Sequence, residues 1–471
     1  MNNSDTISAI ATPSGDGGIG IIRISGPQAH AVGEEVFSCE KRGGKPHAER
    51  SLLYGRVIDP VDGSVIDNGF IVFMKGPRTY TGEDVTELQL HGGALVLKRV
   101  LGVVLRSGAR AAEPGEFTKR AFLAGRIDLT RAEAVMDIIT AGTDEGLASA
   151  RNRLEGAIYE KACDLRERLL TLISRLEAVL DFSDNITGEV AGSPALGELQ
   201  GIRQIVTRLL ATYREGAALR DGVRVLILGR PNVGKSSLLN RLLGEKRAIV
   251  THLPGTTRDV IEEAINISGI VIRLMDTAGL RETPDFVESL GVEEARKRIA
   301  HAGVILFILD ASASEFKEDK KLLEGIEEKE DKKILIVANK SDVMDKTREA
   351  FIRREFSFGK ETLSPVFISA TEGRNIGALE AALYELITGH APGKAFGRGS
   401  GEFIATLRQS EAMEKTLSGL VKAEEGLAEN NPPDLIAADL KEALRGVEEL
   451  TGEVTTEEIL DRVFSEFCVG K

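Results

Sequence analysis

Short, wholly apolar runs alternate with helical patterns in the middle of the chain. A helical run at 237–243, ended by Gly244, follows the first apolar run, and another at 376–387 follows the last. Buried strands that alternate with helices are typical of a mostly parallel sheet covered by helices. The pattern predicts an α/β domain over residues 217–388. Its strand-like runs are residues 223–228, 270–275, 334–338 and 366–368.

On both sides of this domain, apolar residues recur every three or four positions. A helical stripe of this kind needs a partner against which to bury its apolar face. We therefore expect the two flanking regions, 119–216 and 389–471, to form one all-α helical domain into which the α/β domain is inserted. The predicted helices are 132–141, 148–181 and 196–214, with a break at Glu215-Gly216, and then 403–427, 435–450 and 455–467.

The first part of the chain has a different pattern. Strand-like runs at 7–12, 19–24 and 70–74, with a helix at 94–106, predict a separate α+β domain over residues 1–118. Residues 80–93 mix acids, glycines and His91 around a short strand. This segment is either a solvated loop or a ligand site near a strand end, and the pattern alone leaves both readings open.

The first strand of the α/β domain runs into Gly229-Arg230-Pro231-Asn232-Val233-Gly234-Lys235-Ser236, and a helix follows. Strand, glycine loop and helix form the context in which this motif is a P-loop. The glycines let backbone N–H groups point at phosphate oxygens, and the helix N-terminus adds partial positive charge. Lys235 reaches the β- and γ-phosphates, and the Ser236 hydroxyl suits Mg²⁺.

Three later motifs each follow an apolar strand. Asp276-Thr277-Ala278-Gly279 places an aspartate near magnesium and a glycine near the γ-phosphate, as in a switch GTPase. Asn339-Lys340-Ser341-Asp342 supplies a carboxylate that accepts hydrogen bonds from N1–H and the amino group of guanine. Ser369-Ala370 stands where such proteins support the base. Adenine offers no such pair of donors, so Asp342 favours GTP over ATP.

The residue that orients the attacking water is not where Ras-like enzymes have it. Leu280 occupies the position of their glutamine and cannot hydrogen-bond water. Asn232 offers an oxygen for a monovalent cation, and residues 251–259 are the expected first switch; Arg258 as an arginine finger is the alternative. The polar candidates for the water-orienting role are Arg281, Glu282, Asp285 and Glu288.

Composition narrows the class of protein. The chain has 471 residues and a net charge of −13, which argues against broad electrostatic binding to nucleic acid. Its three cysteines are far apart, which indicates a reducing cytosol rather than a disulfide framework. We expect no signal peptide and no membrane span. Cys468 is either a buried small residue or a mobile, reactive thiol beside Lys471.

Taken in order, these elements resemble the MnmE (TrmE) family of tRNA-modification GTPases. The likeness rests on residues 5–26 and 80–93, Gly115-Glu116-Phe117-Thr118, the inserted GTPase and the Cys-Val-Gly-Lys end. It implies a cytoplasmic homodimer, paired through its N-terminal folate-binding-like domain. It also implies a flavin-dependent partner, MnmG (GidA), in a heterotetramer or larger complex. The pair would add an aminomethyl or carboxymethylaminomethyl group at C5 of the tRNA wobble uridine, using a one-carbon unit from a tetrahydrofolate in its formyl or methylene form.

The resemblance also assigns residues. Folate would be bound by Arg23, Glu87, Arg126 and Lys471, with Arg126 where relatives are expected to have lysine. Magnesium would be held by Ser236 and Thr257, and potassium by Asn232, Thr251, Leu253 and Thr256. Glu288 would orient the water, and Lys235 and Cys468 complete the predicted catalytic set. With the motifs, the predicted GTP-binding residues are Asn232, Val233, Gly234, Lys235, Ser236, Ser237, Thr251, His252, Leu253, Pro254, Gly255, Thr256, Thr257, Asp276, Thr277, Ala278, Gly279, Asn339, Lys340, Asp342, Ser369 and Ala370.

Two other classes of protein compete with this interpretation. One is a ribosome-assembly GTPase whose first domain only dimerises; it has no use for folate, so folate binding separates the two. The C-terminal region lacks the G-x-x-G of an RNA-binding KH module, which counts against it. The other is a stand-alone folate enzyme with a regulatory GTPase, but residues 1–118 contain no catalytic constellation.

Overall fold

The computed structural model describes residues 5–39, 49–181, 189–245, 263–275, 298–326, 333–345, 347–356, 364–392 and 403–471. The chain forms two compact units. One combines Met1–Met136 with Thr451–Lys471, and the other is Asp137–Leu450.

The first unit is built on a largely antiparallel sheet. Its strands are β1 (Ile7–Ile10), β2 (Gly17–Ser25), β3 (Phe37–Cys39), β4 (Leu53–Ile58), β5 (Val65–Met74), β6 (Val85–Gly92) and β7 (Arg110–Ala111). Their order is β3-β4-β5-β6-β2-β1-β7, with β1 and β7 parallel. Alternate residues face opposite sides of a strand, so Ile22, Ile24, Ile71 and Leu88 share one fully buried face.

Helices cover the buried face of this sheet. Leu97 and Val100 pack into the same core as Ile22 and Leu88. A side chain at Gly20 would come within 2.5 Å of Leu97, so glycine permits the close approach of helix and sheet. The predicted α+β architecture is confirmed. The helices are α1 (Ala29–Val36), α2 (Ala94–Arg106), α3 (Glu116–Leu123) and α4 (Leu129–Thr140).

The C-terminal end belongs to the first unit, whereas the sequence pattern assigned all of 389–471 to the helical domain. Val469 forms an antiparallel bridge with Pro114, and Gly115 donates its N–H to the carbonyl of Cys468 at 3.5 Å. A side chain at Gly470 would lie 2.3 Å from the Ile10 carbonyl oxygen. This close backbone contact is invisible in a helical pattern. The helix that precedes the tail, α15, spans Glu457–Ser465.

The second unit contains a mostly parallel sheet. Its strands are β8 (Val223–Leu228), β9 (Glu263–Ile267), β10 (Ile270–Met275), β11 (Val304–Asp310), β12 (Lys333–Asn339) and β13 (Val366–Phe367). Their order is β13-β12-β11-β8-β10-β9, with β9 and β10 antiparallel. Both faces are apolar and buried, as expected of a parallel sheet covered by helices.

Helices from before and after this sheet share one core. Leu165 and Ile202 pack with Leu420 and Leu440, so the α/β domain is inserted in a helical domain, as predicted. Among the described residues, no helix is both long enough and apolar enough to span a membrane. The helices are α5 (Asp144–Glu155), α6 (Ala157–Asp181), α7 (Glu189–Ala211), α8 (Tyr213–Asp221), α9 (Lys235–Glu245), α10 (Lys317–Glu324), α11 (Arg348–Glu355), α12 (Ile376–Thr388), α13 (Leu407–Ala428) and α14 (Pro433–Thr451).

Three glycines act differently from the sequence prediction. Gly156, with φ +109°, divides the predicted helix 148–181 into α5 and α6. Gly216 lies inside α8 instead of breaking it. Glycine is needed there because a side chain would lie 2.2 Å from the Ile404 carbonyl oxygen. Gly244 does not end α9, which continues to Glu245. Close packing, rather than chain termination, therefore explains Gly216.

Candidate functional site

The loop between β8 and α9 is shaped by two glycines that admit no side chain. Gly229 has φ +151°, and a Cβ there would lie 2.4 Å from the Ile308 carbonyl oxygen. At Gly234, with φ +96°, a Cβ would lie 2.2 Å from Nδ2 of Asn339. The steric space therefore requires glycine at both positions, and the loop can present backbone N–H groups to an anion.

Lys235 lies at the start of α9 and folds back over the loop. Its Nζ donates hydrogen bonds to the carbonyls of Gly229 and Arg230, each at 2.7 Å. Ser236 and Ser237 are exposed in the first turn of the helix. An ammonium, two hydroxyls and a helix N-terminus together form a site suited to phosphate.

Asn339 joins three of the predicted motifs. Its buried Nδ2 donates to the Val233 carbonyl at 2.9 Å, and its Oδ1 accepts the Ala370 N–H at 3.0 Å. The sequence predicted Asn339 as a GTP-binding residue. In the structure its side chain connects the phosphate loop to the loop that contains Ser369 and Ala370, a role that a motif match does not reveal.

Asp342 has one side-chain oxygen without a hydrogen-bond partner among the described residues. Its Oδ1 is enclosed and accepts no hydrogen bond within the described part of the chain. The hydroxyl of Ser369 is the main cause that lowers the pKa of Asp342, so this side chain is a carboxylate at neutral pH. Nearby, Lys340 has φ +62° and its Nζ lies 2.6 Å from Asp310. A carboxylate has two acceptor oxygens, which suits the paired donors of guanine.

Much of the predicted hydrolytic machinery lies outside the described residues. Of the predicted metal ligands, the structure describes Asn232, with φ +62°, and Ser236. The predicted residues outside the described ranges are Thr251, His252, Leu253, Pro254, Gly255, Thr256, Thr257, Asp276, Thr277, Ala278, Gly279 and Glu288.

A second polar cluster lies in the first unit. Arg23 of β2 and Glu87 of β6 are directly paired in register, and Nε of Arg23 is 2.8 Å from Oε1 of Glu87. Both side chains are largely buried, at 18% and 15% exposure. The guanidinium carbon of Arg23 lies 5.8 Å from the ring centre of Tyr80 and 5.7 Å from that of Phe117. The pair is therefore flanked by aromatic rings.

Lys471 reaches this cluster from the other end of the chain. Its carbonyl accepts the N–H of Phe117 at 3.2 Å, which holds the tail beside α3. Burial, followed by the charge of Arg23, lowers the pKa of Lys471, while Glu87 opposes that shift. The structure thus brings together three of the four residues predicted to bind folate.

The fourth predicted residue, Arg126, lies on a neighbouring loop. Its exposed guanidinium donates to the Pro77 carbonyl at 2.6 Å. The sequence reasoning missed Tyr80 and Phe117 as individual members of the cluster, although both lie in segments that the resemblance singled out. The Tyr80 hydroxyl is 2.9 Å from that of Thr118, which ties the loop to α3.

Cys468 is a half-buried free thiol close to this cluster in the chain. Its carbonyl oxygen accepts the N–H groups of Gly115, at 3.5 Å, and Lys471, at 3.3 Å. These bonds fix the backbone of the tail. The predicted reactivity of the thiol stays a prediction.

Known proteins match both parts of the chain. Residues 6–126 match the family model of the GTP-binding protein TrmE N-terminus, and residues 129–468 match the MnmE helical domain. The tRNA modification GTPase MnmE of Carboxydothermus hydrogenoformans is 43% identical over 468 residues, which cover 99% of each chain. The Moorella thermoacetica protein of that name is 44% identical over 469 residues, again 99% of each chain.

A solved structure of a single-residue variant of Era from Aquifex aeolicus, bound to GDP.AlF4-, is 29% identical and has a TM-score of 0.28; the match covers 42% of this chain and 66% of that one. The two family models match successive parts of the chain, and the relatives match it along almost its whole length. This chain belongs to the MnmE family of tRNA modification GTPases.

Proposed function

We propose that this chain is a potassium-activated GTP hydrolase that works with a flavin-dependent partner of the MnmG (GidA) type. Together they install an aminomethyl or carboxymethylaminomethyl group at C5 of the tRNA wobble uridine, with a folate as one-carbon donor. One observation carries the proposal: the chain has a nucleotide loop at 229–236 and, separately, the Arg23–Glu87 pair beside Lys471. A simple nucleotide switch has no use for the second cluster.

Residues of the phosphate loop bind and orient GTP. Backbone N–H groups from Val233 to Ser236 face the phosphates, and Lys235 exchanges its two loop carbonyls for phosphate oxygens. Asp342 accepts the two donors of guanine, and Asn339 keeps the phosphate and base loops in register. The phosphates are held mostly by backbone, so the geometry of the loop decides their affinity.

The described donors suit hard cations. The Ser236 hydroxyl and the Asn232 side chain are exposed at the loop, where oxygen ligands are needed. We assign Ser236 and Thr257 to Mg²⁺, and Asn232, Thr251, Leu253 and Thr256 to K⁺. When bound, these cations neutralise the charge that develops between the β- and γ-phosphates. Glu288 accepts a hydrogen bond from the attacking water and so orients it, a task that Leu280 cannot perform.

The Arg23 cluster fits a folate in charge and shape. Arg23 and Lys471 donate hydrogen bonds, Glu87 accepts them, and Tyr80 and Phe117 provide apolar ring faces beside the pair. A folate has a flat ring with donors and acceptors and an anionic tail, so it needs each of these groups. When bound, the folate supplies the one-carbon unit. The proposal also includes Cys468 among the catalytic residues, but it assigns no chemical step to the thiol.

The remaining parts of the proposal concern partners. We assign homodimerisation to residues 1–118 and the place of action to the cytoplasm. A net charge of −13 favours a partner that makes most of the phosphate contacts to tRNA.

The test is GTP hydrolysis by the full chain in potassium against sodium at fixed ionic strength. We expect strong activation by potassium, which Glu288→Ala removes and the matched change Glu282→Ala leaves in place. Equal rates in the two salts would overturn the cation-assisted mechanism and return Arg258 to consideration as the charge-neutralising group.

A further inference from the structure

We infer that three arginines beside the proposed folate site form a subsite for a polyglutamate tail on the folate. The three are Arg50, Arg78 and Arg126, called here the arginine cluster. The inference rests on the proposed function, because it extends the same site and names the form of folate that the site takes.

The arginine cluster is gathered by one loop. The Arg126 guanidinium donates to the Pro77 carbonyl at 2.6 Å. The Arg50 guanidinium donates to the carbonyl of Arg78, the next residue in the chain. All three arginine side chains are exposed. Two guanidinium groups are therefore held at the carbonyls of residues 77 and 78, and the exposed side chain of Arg78 starts from the same turn.

The positive charge of this cluster is not compensated locally. None of its three members forms an ion pair with a carboxylate in the part of the chain that the structure describes. The two carboxylates of the loop itself are engaged elsewhere: Glu83 lies 3.1 Å from Arg120, and Asp84 accepts the Gly76 N–H at 2.9 Å. Unpaired cations at one loop of a chain with net charge −13 indicate an anionic ligand.

The same loop connects the cluster to the Arg23–Glu87 pair. Tyr80 lies two residues beyond Arg78, and its ring centre is 5.8 Å from the Arg23 guanidinium carbon. A side chain at Gly82 would lie 3.3 Å from Cδ of Arg126, so Arg126 runs along the loop. A ligand with its ring system at Arg23 and its tail directed along this loop reaches the cluster.

The chemistry of the cluster matches a chain of γ-linked glutamates. Each added glutamate contributes one more carboxylate, and a guanidinium has five N–H donors in a fork that matches a carboxylate. One carbonyl bond leaves most donors of Arg50 and Arg126 unused. Arg126 suits the first glutamate, already part of the proposed folate site, and Arg50 and Arg78 suit the later ones.

The experiment compares two probes on the full chain by calorimetric titration: 5-formyltetrahydrofolate as monoglutamate and as pentaglutamate. We expect the pentaglutamate to bind roughly twofold to thirtyfold more tightly, with the advantage shrinking as salt is added. Combining Arg50→Gln with Arg78→Gln should remove the advantage and leave the monoglutamate affinity unchanged. A matched double variant of two exposed cations on α2, Lys98→Gln with Arg99→Gln, should keep it.

The outcomes separate the two levels of the proposal. Equal binding of both probes overturns the subsite and leaves the folate site standing, whereas binding of neither probe overturns both. If the double variant of Arg50 and Arg78 still binds the pentaglutamate more tightly than the monoglutamate, the inference is overturned. If the same variant also binds tRNA more weakly, the cluster is a contact for RNA. Arg78→Gln alone guards against misfolding, because no described residue hydrogen-bonds the Arg78 side chain; it should lower the pentaglutamate advantage in part.

Discussion

The nucleotide site and the Arg23 cluster are built by opposite means. In the nucleotide site, neighbouring residues and their backbone define a loop, and two glycines make that loop sterically possible. In the Arg23 cluster, side chains from β2, β6 and the C-terminal tail meet across the first unit.

This difference indicates which mutations should affect each site most. A backbone site fails when its conformation changes, because backbone N–H groups cannot move independently of the chain. A side-chain cluster loses affinity in smaller steps, one contact at a time. The following predictions test this contrast, from the largest expected effect to the smallest.

Gly234→Ala should have the largest effect. Its Cβ would lie 2.2 Å from Nδ2 of Asn339, at a φ of +96° that alanine avoids. Strain and displaced hydrogen bonds of Asn339 together cost about 3–5 kcal/mol. We expect GTP binding to be lost in a fluorescent-nucleotide titration.

The control for Gly234→Ala is Gly244→Ala on the same helix. Nothing lies within 4 Å of a Cβ at Gly244, so this change should leave binding intact and stabilise α9 by about 0.5–1 kcal/mol. Normal GTP affinity in Gly234→Ala would contradict the steric account of the loop.

Glu116→Gln should destabilise the first unit by about 2–3 kcal/mol, because Arg110 and Arg120 lose a shared, buried carboxylate. Burial raises the pKa of Glu116, but Arg110 and Arg120, with the Glu113 N–H, hold it below its ordinary value of 4.5. The ionised Glu116 therefore contributes its full stabilisation of the fold above pH 4.5, and this contribution is lost as pH falls through the lowered pKa. Urea unfolding at several pH values measures both effects.

In Glu116→Gln the free energy of unfolding should vary less with pH below 4.5 than in the unaltered chain. The neighbouring change Glu113→Gln, on an exposed side chain, should alter neither stability nor pH dependence. If the free energy of unfolding had the same dependence on pH in the unaltered chain and in both variants, Glu116 would not be the titrating group.

Asp342→Asn should weaken GTP binding by about thirtyfold, because a charged acceptor for two donors is lost. The new amide donates to a carbonyl, so the variant should gain affinity for xanthosine triphosphate, whose base has a carbonyl at C2. A competition experiment between GTP and xanthosine triphosphate measures this change of preference. If GTP and xanthosine triphosphate kept their original ranking, Asp342 would not contact the base.

Glu87→Gln should have the smallest effect, a fall in folate affinity of about fivefold, since one charged contact of several is lost. The variant keeps the shape of the side chain and leaves the Arg23 charge uncompensated. Asp67→Asn, which alters the hydrogen bonds between residue 67 and His91 on the same sheet, is the matched control and should not change folate affinity. Similar losses in both variants would indicate a general effect on the sheet.

Much of the fold could be predicted because its signals are local. Apolar strands and amphipathic stripes predicted the α/β domain, the flanking helices and the insertion between them. The pattern overlooked β3, β4, β7, β9 and β11. Short or edge strands such as β3, β7 and β9 bury too little to need a clear alternation. β11 is different: it is a central, buried strand whose continuous apolar run the prediction left out. The predicted break at Glu215-Gly216 was wrong, because the contact that demands Gly216 comes from Ile404, far along the chain.

The two candidate sites also differ in how far they could be predicted from the sequence. Residues of the nucleotide site that follow one another, such as Gly229 to Ser236, are recognisable in the chain. The cluster of Arg23, Glu87 and Lys471 was assigned by resemblance alone, and no spacing in the sequence relates its members. Tyr80, Phe117 and the arginine cluster emerged only when the loop around Pro77 was seen beside β2 and α3.

The sequence by itself determined many of the strands, most of the long helices, and the place of a glycine loop before a helix. Such features depend on the periodicity and conformational freedom of adjacent residues. Only the tertiary structure decided that the C-terminal tail joins the first unit, that Asn339 links two loops, and that the guanidinium groups of Arg50 and Arg126 bind the carbonyls of one turn. The physical reason is that these contacts depend on the distance between atoms in space, which the order of residues along the chain does not contain.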